Sequence, residues 1–442
     1  MNCRGPLFLL ALALASSPLR AGDPASPAAW PEWRGPGAQG HSPSTRLALT
    51  WSETGPLTWR CPLPGRGWSS PVLAGGLAWM TTAIETPATP AEAAQRLQGN
   101  TGDQPLNLLT KVELRALGVD AASGKLLHNV LLLEKSEPQW VHQLNSYASP
   151  SPVYANGRLF CHFGTLGTAC LDTATQKVLC TNQAPELQIM HENGPGSSPV
   201  VVDDRVIFHL DGSDRQSIAA LDAASGKILW QTPRSGVMHD NPQYKKSYST
   251  PLLVTAQGLR QLISPGSDWL YSYDPTSGAE LWKLPYGDLG FSITPRPVYG
   301  EGWLYLATGY GKSRILAVKL DAQPEIAWSI EKGAPTMPSP LLADGLLYFV
   351  NDGGMLSCAD ARTGEEVYRE RLGEPCSASP LAAPGRIYIP GREGRTFVIK
   401  AGRQFELLAT NRLAGQQFAS FAVADDSLFI RTDQALYRLP PQ

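Results

Sequence analysis

Three short stretches of the 442-residue chain gather side chains able to bind a ligand or move a proton. They are His142, Asn145 and Tyr147; His191-Glu192-Asn193; and His239-Asp240-Asn241 with Lys245, Lys246 and Tyr248 just after it. Asp211, Asp268-Trp269 and Arg392-Glu393 add further polar and aromatic groups. Imidazoles and carboxylates supply acid–base chemistry, while amides and indoles hold polar ligands by hydrogen bonding and stacking. Together they suit a funnel for a polar small molecule or a glycan. His142, His191 and His239 are chemically able to bind Zn or Cu, but no close His-x-His spacing accompanies them, so no metal site is assigned. Glu192 and Asp240 would form an acid pair for glycoside hydrolysis if they stood at the right separation. Gly-x-Ser-x-Gly, Walker and His-Glu-x-x-His motifs are all absent.

The elements that must position these groups are announced by an internal repeat. Asp120-Ala-Ala-Ser-Gly124, Asp172-Thr-Ala-Thr-Gln176, Asp222-Ala-Ala-Ser-Gly226, Asp274-Pro-Thr-Ser-Gly278 and Asp360-Ala-Arg-Thr-Gly364 read as tight hairpin turns. Asp accepts bonds from turn amides, and Gly takes the left-handed corner. A marker side chain follows each: His128, Cys180, Trp230, Trp282 and Tyr368, with Trp328 and Ala409 in weaker copies and Trp59 standing alone. A second phrase, mostly Ser-x-Pro or Ser-Pro, carries Pro71, Pro152, Pro199, Pro251, Pro297, Pro340 and Pro380, with Ser420-Phe421 as an eighth copy. After the first gap the copies recur at the roughly 40–50-residue spacing of four-stranded propeller blades. Eight markers and eight starts predict an all-β, eight-bladed β-propeller of four-stranded antiparallel blades. Its ring should close where the N-terminal outer strand near Trp59 pairs with the C-terminal strands.

The phrase Asp-x-x-[Thr/Ser]-Gly-x-x-x-Trp resembles the repeat of the PQQ-like β-propellers, and Trp30-Pro-Glu-Trp-Arg-Gly-Pro-Gly resembles the opening motif of exported bacterial members. That resemblance implies the propeller fold over residues 30 to 439. The group holds quinoprotein alcohol dehydrogenases, which carry pyrroloquinoline quinone (PQQ) and Ca²⁺, and a lipoprotein that assists outer-membrane protein assembly. Here the adjacent Cys-Cys pair of many alcohol-oxidising relatives, a Cys-x-x-Cys-His haem motif and a lipid-anchoring cysteine are missing. His191-Glu192-Asn193 offers calcium-type oxygens, but no catalytic Asp can be transferred by position.

Lead-in loops, counted from each marker to the next blade start, are longest from His128 to Pro152, Cys180 to Pro199 and Trp230 to Pro251. With His162 and His209, these place five of the seven histidines on one predicted face, where long loops on a rigid scaffold collect function. Residues 85–107, rich in Pro, Ala and Gln, read as an insertion in the first blade, either a lid over that face or a loose excursion.

Composition agrees with many short strands: 42 Gly and 38 Pro punctuate a chain that is 43% hydrophobic and 17% charged. A net charge of −2 leaves no electrostatic footprint for nucleic acid, and no segment after the N-terminus is apolar and long enough to span a bilayer. Residues 1–21 read as a signal peptide, 22–46 as an N-terminal extension and 47–440 as a single propeller. The protein is therefore expected to be periplasmic or secreted. Cys161, Cys170 and Cys180 fall on successive strands of one blade, where one pair could bridge; otherwise they act as small buried hydrophobes. The expected function is non-catalytic binding of a ligand, such as a small polar molecule or glycan, or of an envelope partner through the loop face. A PQQ/Ca²⁺-dependent dehydrogenase and a carbohydrate-active enzyme are the alternatives.

Overall fold

The structure is a computed structural model describing residues 30–98 and 104–442. The expected signal peptide, residues 22–29 of the extension and residues 99–103 of the insertion lie outside the described residues. Eight four-stranded antiparallel sheets stand around a central channel. Blade three illustrates the pattern, with Val200–Val202 innermost, then Arg205–Asp211, Gln216–Asp222 and Ile228–Pro233 outermost. The inner strands begin one residue after Pro71, Pro152, Pro199, Pro251, Pro297, Pro340, Pro380 and Phe421, as the repeat predicts. Blade eight is composite. Ala422–Ala424, Ser427–Arg431 and Ala435–Leu439 come from the C-terminus, and Trp59–Pro62 adds the outer strand with Trp59 opposite Arg438 and Pro62 opposite Ala435.

The two recurring phrases turn out to be halves of one contact. The glycine of the Asp turn in one blade meets the marker of the preceding blade. A Cβ on Gly124 would lie 2.6 Å from Trp59, and one on Gly364 would lie 2.8 Å from Trp328. The Trp59 and Trp328 indoles also donate to the Ala121 and Arg362 carbonyls of those turns, at 3.1 and 3.0 Å. In the third strand a small residue faces the marker, as Ala220 faces Trp230 and Ala317 faces Trp328. A bulge follows at once and turns the marker toward its neighbour.

A third contact closes the channel wall. The residue before each blade-start position is Ser70, Ser151, Ser198, Thr250, Arg296, Ser339, Ser379 and Ser420 around the ring. Each hydroxyl accepts the backbone N–H of the equivalent residue in the blade before it, at 2.8–3.1 Å. Seven such bonds run around the ring. The gap falls where Arg296 replaces a hydroxyl, and its guanidinium instead binds the Pro251 carbonyl, the Trp33 carbonyl and Glu32.

Residues 30–46 run across the end of the channel opposite the long loops. Trp30 pairs with Leu73 of blade one, and the Pro31 carbonyl accepts Tyr154 N–H of blade two. Arg34 donates to Pro340, His41 contacts the Leu342 carbonyl, and Ser44 donates to Asp426 of blade eight. All six cysteines in the described residues are free thiols, Cys170 and Cys180 included although they face one another in register. No helix of the described residues is long and apolar enough to cross a membrane.

Gly364 holds φ at 75°, so an added Cβ is strained by the backbone as well as by the Trp328 ring. Gly364→Ala is expected to destabilise the protein by about 2 kcal/mol, read as a lower urea midpoint at unchanged slope.

Candidate ligand pocket at the loop face

The channel opens on the long-loop face as a pocket of about 490 Å³, with Trp33 from the crossing segment in its lining. The ring residues Ser70, Ser151, Ser198, Ser379 and Ser420 line its depth, and Trp33 Nε1 donates to Ser420 Oγ at 3.2 Å. The upper wall is aromatic. Trp68 stacks on Phe418 with centroids 4.5 Å apart, and Tyr248, Phe291 and Tyr310 complete it. Among the described residues, no Asp, Glu, Lys or Arg lines the pocket.

The insertion builds one side of this mouth. Strands Leu77–Pro87 and Leu109–Asp120 extend well beyond the length of their counterparts, and a helix at Pro90–Arg96 starts from a Thr89/Glu92 capping box. Leu106–Asn107 then pairs with Val141–His142, placing Leu106 opposite His142, while Arg96 ties the helix to the Leu109 and Pro138 carbonyls. Gln104 reaches the pocket itself.

Of the thirteen residues expected at a site, His142, Asn145 and Asn193 line the pocket. His142 Nδ1 accepts Leu144 N–H, and burial holds the imidazole below its ordinary pKa, which favours the neutral ring. Asn145 is committed to bracing the loops, donating to the Asn193 and Pro195 carbonyls. Asn193 Oδ1 is buried without a donor. Arg392 sits just behind the wall, bonded to Ser377 and 5.6 Å from the Phe418 ring centroid.

The other residues serve the walls or the outer rim. Tyr147 is fully buried and donates to the Gln139 carbonyl. His191 is 2% exposed with neither ring nitrogen partnered, and Glu192 pairs with the buried Lys246 at 2.7 Å. Asp211 forms a two-point ion pair with Arg234, at 3.0 and 2.7 Å, and the same guanidinium bonds Ser264, which holds His209. His239, Asp240, Asn241, Asp268 and Trp269 belong to a separate outer cluster. His239 N–H donates to Asp268, Asn241 caps the turn at Pro242–Lys245, and Trp269 donates to the Val237 carbonyl. Among the described residues, no three His, Cys, Asp or Glu side chains converge as metal ligands.

Sequence reading missed Trp33, the ring hydroxyls, Phe291, Tyr310 and Phe418. A usable signal existed: a hydroxyl stands immediately before the blade-start position in seven of eight copies, which is more than a strand start needs.

Removing the Asp211 carboxylate would strand Arg234, whose side chain is 1% exposed. Asp211→Ala should therefore cost about 3–5 kcal/mol in chemical denaturation. Burial also lowers His162 to about 3 and His191 to about 4. The unfolded chain takes up protons on these rings below its ordinary value, whereas the folded chain refuses them until those lower values. Stability is thus complete above that ordinary value and is lost as pH falls toward 4. His191→Gln should flatten the fall by up to about 3 kcal/mol, measured as melting temperature against pH.

Comparison with known proteins agrees with the repeat. The PQQ_2 family model, described as outer membrane protein assembly factor BamB, matches residues 114–240 and 266–417. The outer membrane protein assembly factor BamB of Yersinia pestis is 23% identical over 233 residues, 49% of this chain and 56% of that protein. The chain thus spans about half the length of the curated relatives it matches. Among solved structures, quinohemoprotein alcohol dehydrogenase from Comamonas testosteroni aligns with a TM-score of 0.64 at 12% identity, covering 94% of this chain and 80% of the other. A europium-containing methanol dehydrogenase aligns with a TM-score of 0.62 at 12% identity, covering 93% and 91%. Likeness at such identity shows the fold alone. With its repeats matched over more than half its length, the chain belongs to the PQQ_2 family of outer membrane protein assembly factor BamB.

Proposed function

We propose that this protein is an exported, non-catalytic binding propeller that holds a small ligand in the pocket at the mouth of its channel. The observation that carries this reading is the pocket's lining: stacked aromatics over a ring of hydroxyls, with no carboxylate, lysine or arginine among the described lining residues. Turnover of the kinds considered would need a carboxylate pair or a base beside a nucleophile, and His142, the one imidazole of the described lining, is bonded at Nδ1 by Leu144 N–H rather than by a hydroxyl. The pocket instead offers shape, stacking and hydrogen bonds, which are the means of binding. Family membership supports a role in the cell envelope, where the related BamB proteins are named as assembly factors.

The dehydrogenase alternative asks the pocket to hold PQQ with a divalent cation. A hard cation needs several carboxylate or carbonyl oxygens. The described lining provides Asn193 Oδ1 as an orphan acceptor and no carboxylate, a poor ligand set for that cation, which weighs against this cofactor. The paired-acid alternative is weakened in the same way, because Glu192 is engaged by Lys246 and Asp240 lies on the exposed outer rim.

Purified protein mixed with PQQ and Ca²⁺ should give no Ca²⁺-dependent heat in calorimetry and no alcohol-dependent reduction of a dye acceptor. Cation-dependent binding accompanied by dye reduction would replace this reading with the dehydrogenase.

A further inference from the structure

The ring hydroxyls are unusual in how their hydrogen-bonding capacity is divided. Each of the five that line the pocket, Ser70, Ser151, Ser198, Ser379 and Ser420, has its oxygen engaged by a neighbouring backbone N–H. None of them donates its own proton to any group of the described residues, although all are at most 5% exposed. Ser420 is the clearest case, since its oxygen accepts both Ser379 N–H and the Trp33 indole. A hydroxyl that already accepts a bond is polarised and becomes a stronger donor. The pocket is therefore lined by five hydroxyls whose protons have no partner among the described residues, and their complement is an acceptor.

The charges behind the ring favour an acceptor that is negative. Arg34 is buried within the crossing segment and Arg296 beside it, and among the described residues Glu32 pairs only with Arg296, at 3.2 Å. Arg34 forms no ion pair among the described residues, and its Nε and Nη1 are buried without partners. Around the mouth, the guanidinium groups of Arg66 and Arg392 lie 5.4 and 5.6 Å from the ring centroids of Trp68 and Phe418. At the rim these arginines are balanced by Glu85 beside Arg66 and by Asp352, which faces Tyr310 together with Arg392, so the unbalanced positive charge is Arg34 behind the ring. In a site of low local dielectric such fixed charges act over longer distances than in water.

We propose that the hydroxyl ring seats the carboxylate of a small aromatic acid whose apolar body stacks against the Trp68–Phe418 wall. The cavity volume is in the range that holds a small molecule. Charge selects the acid over its neutral isostere, because hydrogen bonds to an ionised acceptor are about twice as strong as neutral ones. This assignment rests on the pocket being a ligand site at all, and the test separates the two claims.

The probes are phenylacetate and phenylacetamide, titrated into the full exported chain at neutral pH while tryptophan fluorescence and heat are followed. Phenylacetate should bind about tenfold more tightly than the amide, a difference equivalent to one hydrogen bond to charge. Ser198→Ala should lose about tenfold for the acid and little for the amide, whereas Ser198→Thr, which reproduces the hydroxyl of Thr250, should retain both. If the alanine variant does not fold, the acid-to-amide ratio in the unaltered protein decides alone. Equal affinity for acid and amide would overturn the carboxylate seat and leave the pocket reading standing. Binding of neither probe would overturn the seat and count against the pocket as a ligand site.

Discussion

Closure of the ring is the constraint on which the rest of the molecule depends. Eight twisted sheets arranged radially have no single core, so each blade is stable only between two neighbours, and the first and last must be joined. One closing strand pair and two contacts that repeat around the circle achieve this. Trp59–Pro62 pairs with the C-terminal strand of blade eight, each Asp-turn glycine receives the marker of the blade before it, and inner-strand hydroxyls accept N–H groups across the channel wall. The segment at residues 30–46 adds a fourth, touching blades on opposite sides of the channel.

These closing contacts also create the pocket. Trp33 belongs to the crossing segment and lines the cavity, so the segment that ties the blades together also shapes the cavity. Ring hydroxyls are engaged through their oxygens, and those lining the cavity donate to no group of the described residues. The bonds that fix the fold are thus the same ones that hold the cavity lining in place.

Charge is handled differently inside the walls and inside the cavity. Arg234 with Asp211, Lys246 with Glu192 and Arg296 with Glu32 are pairs withdrawn from solvent, each serving to anchor a loop or the crossing segment. His162, His191 and His209 are neutral side chains within those walls. The described lining of the cavity keeps aromatic faces, hydroxyls, amides and the His142 imidazole, with no carboxylate, lysine or arginine. A propeller scaffold shared with dehydrogenases can therefore present a lining of quite different chemistry, because lining residues sit on loops and strand ends that the ring does not constrain.

What the sequence determined by itself was everything that repeats. Blade number, strand starts, composite closure at Trp59 and the hairpin turns were legible because a local steric demand, such as a glycine under a tryptophan, recurs with a fixed period. The loops of blades two to four were also recognisable as the elaborated face, and His142, Asn145 and Asn193 within them do line the pocket. Tertiary structure alone decided which polar groups face the cavity. His191, Asp211 and Tyr147 were indistinguishable from ligand-binding residues in the sequence, since burial depends on chain segments far away: Lys246 packs against the His191 loop, and Arg234 meets Asp211. Trp33 shares its cavity with Phe418 nearly a whole chain length away, and only the closed ring brings such distant positions together. Periodicity reports what each blade needs from its neighbour, whereas a site belongs to the circle as a whole.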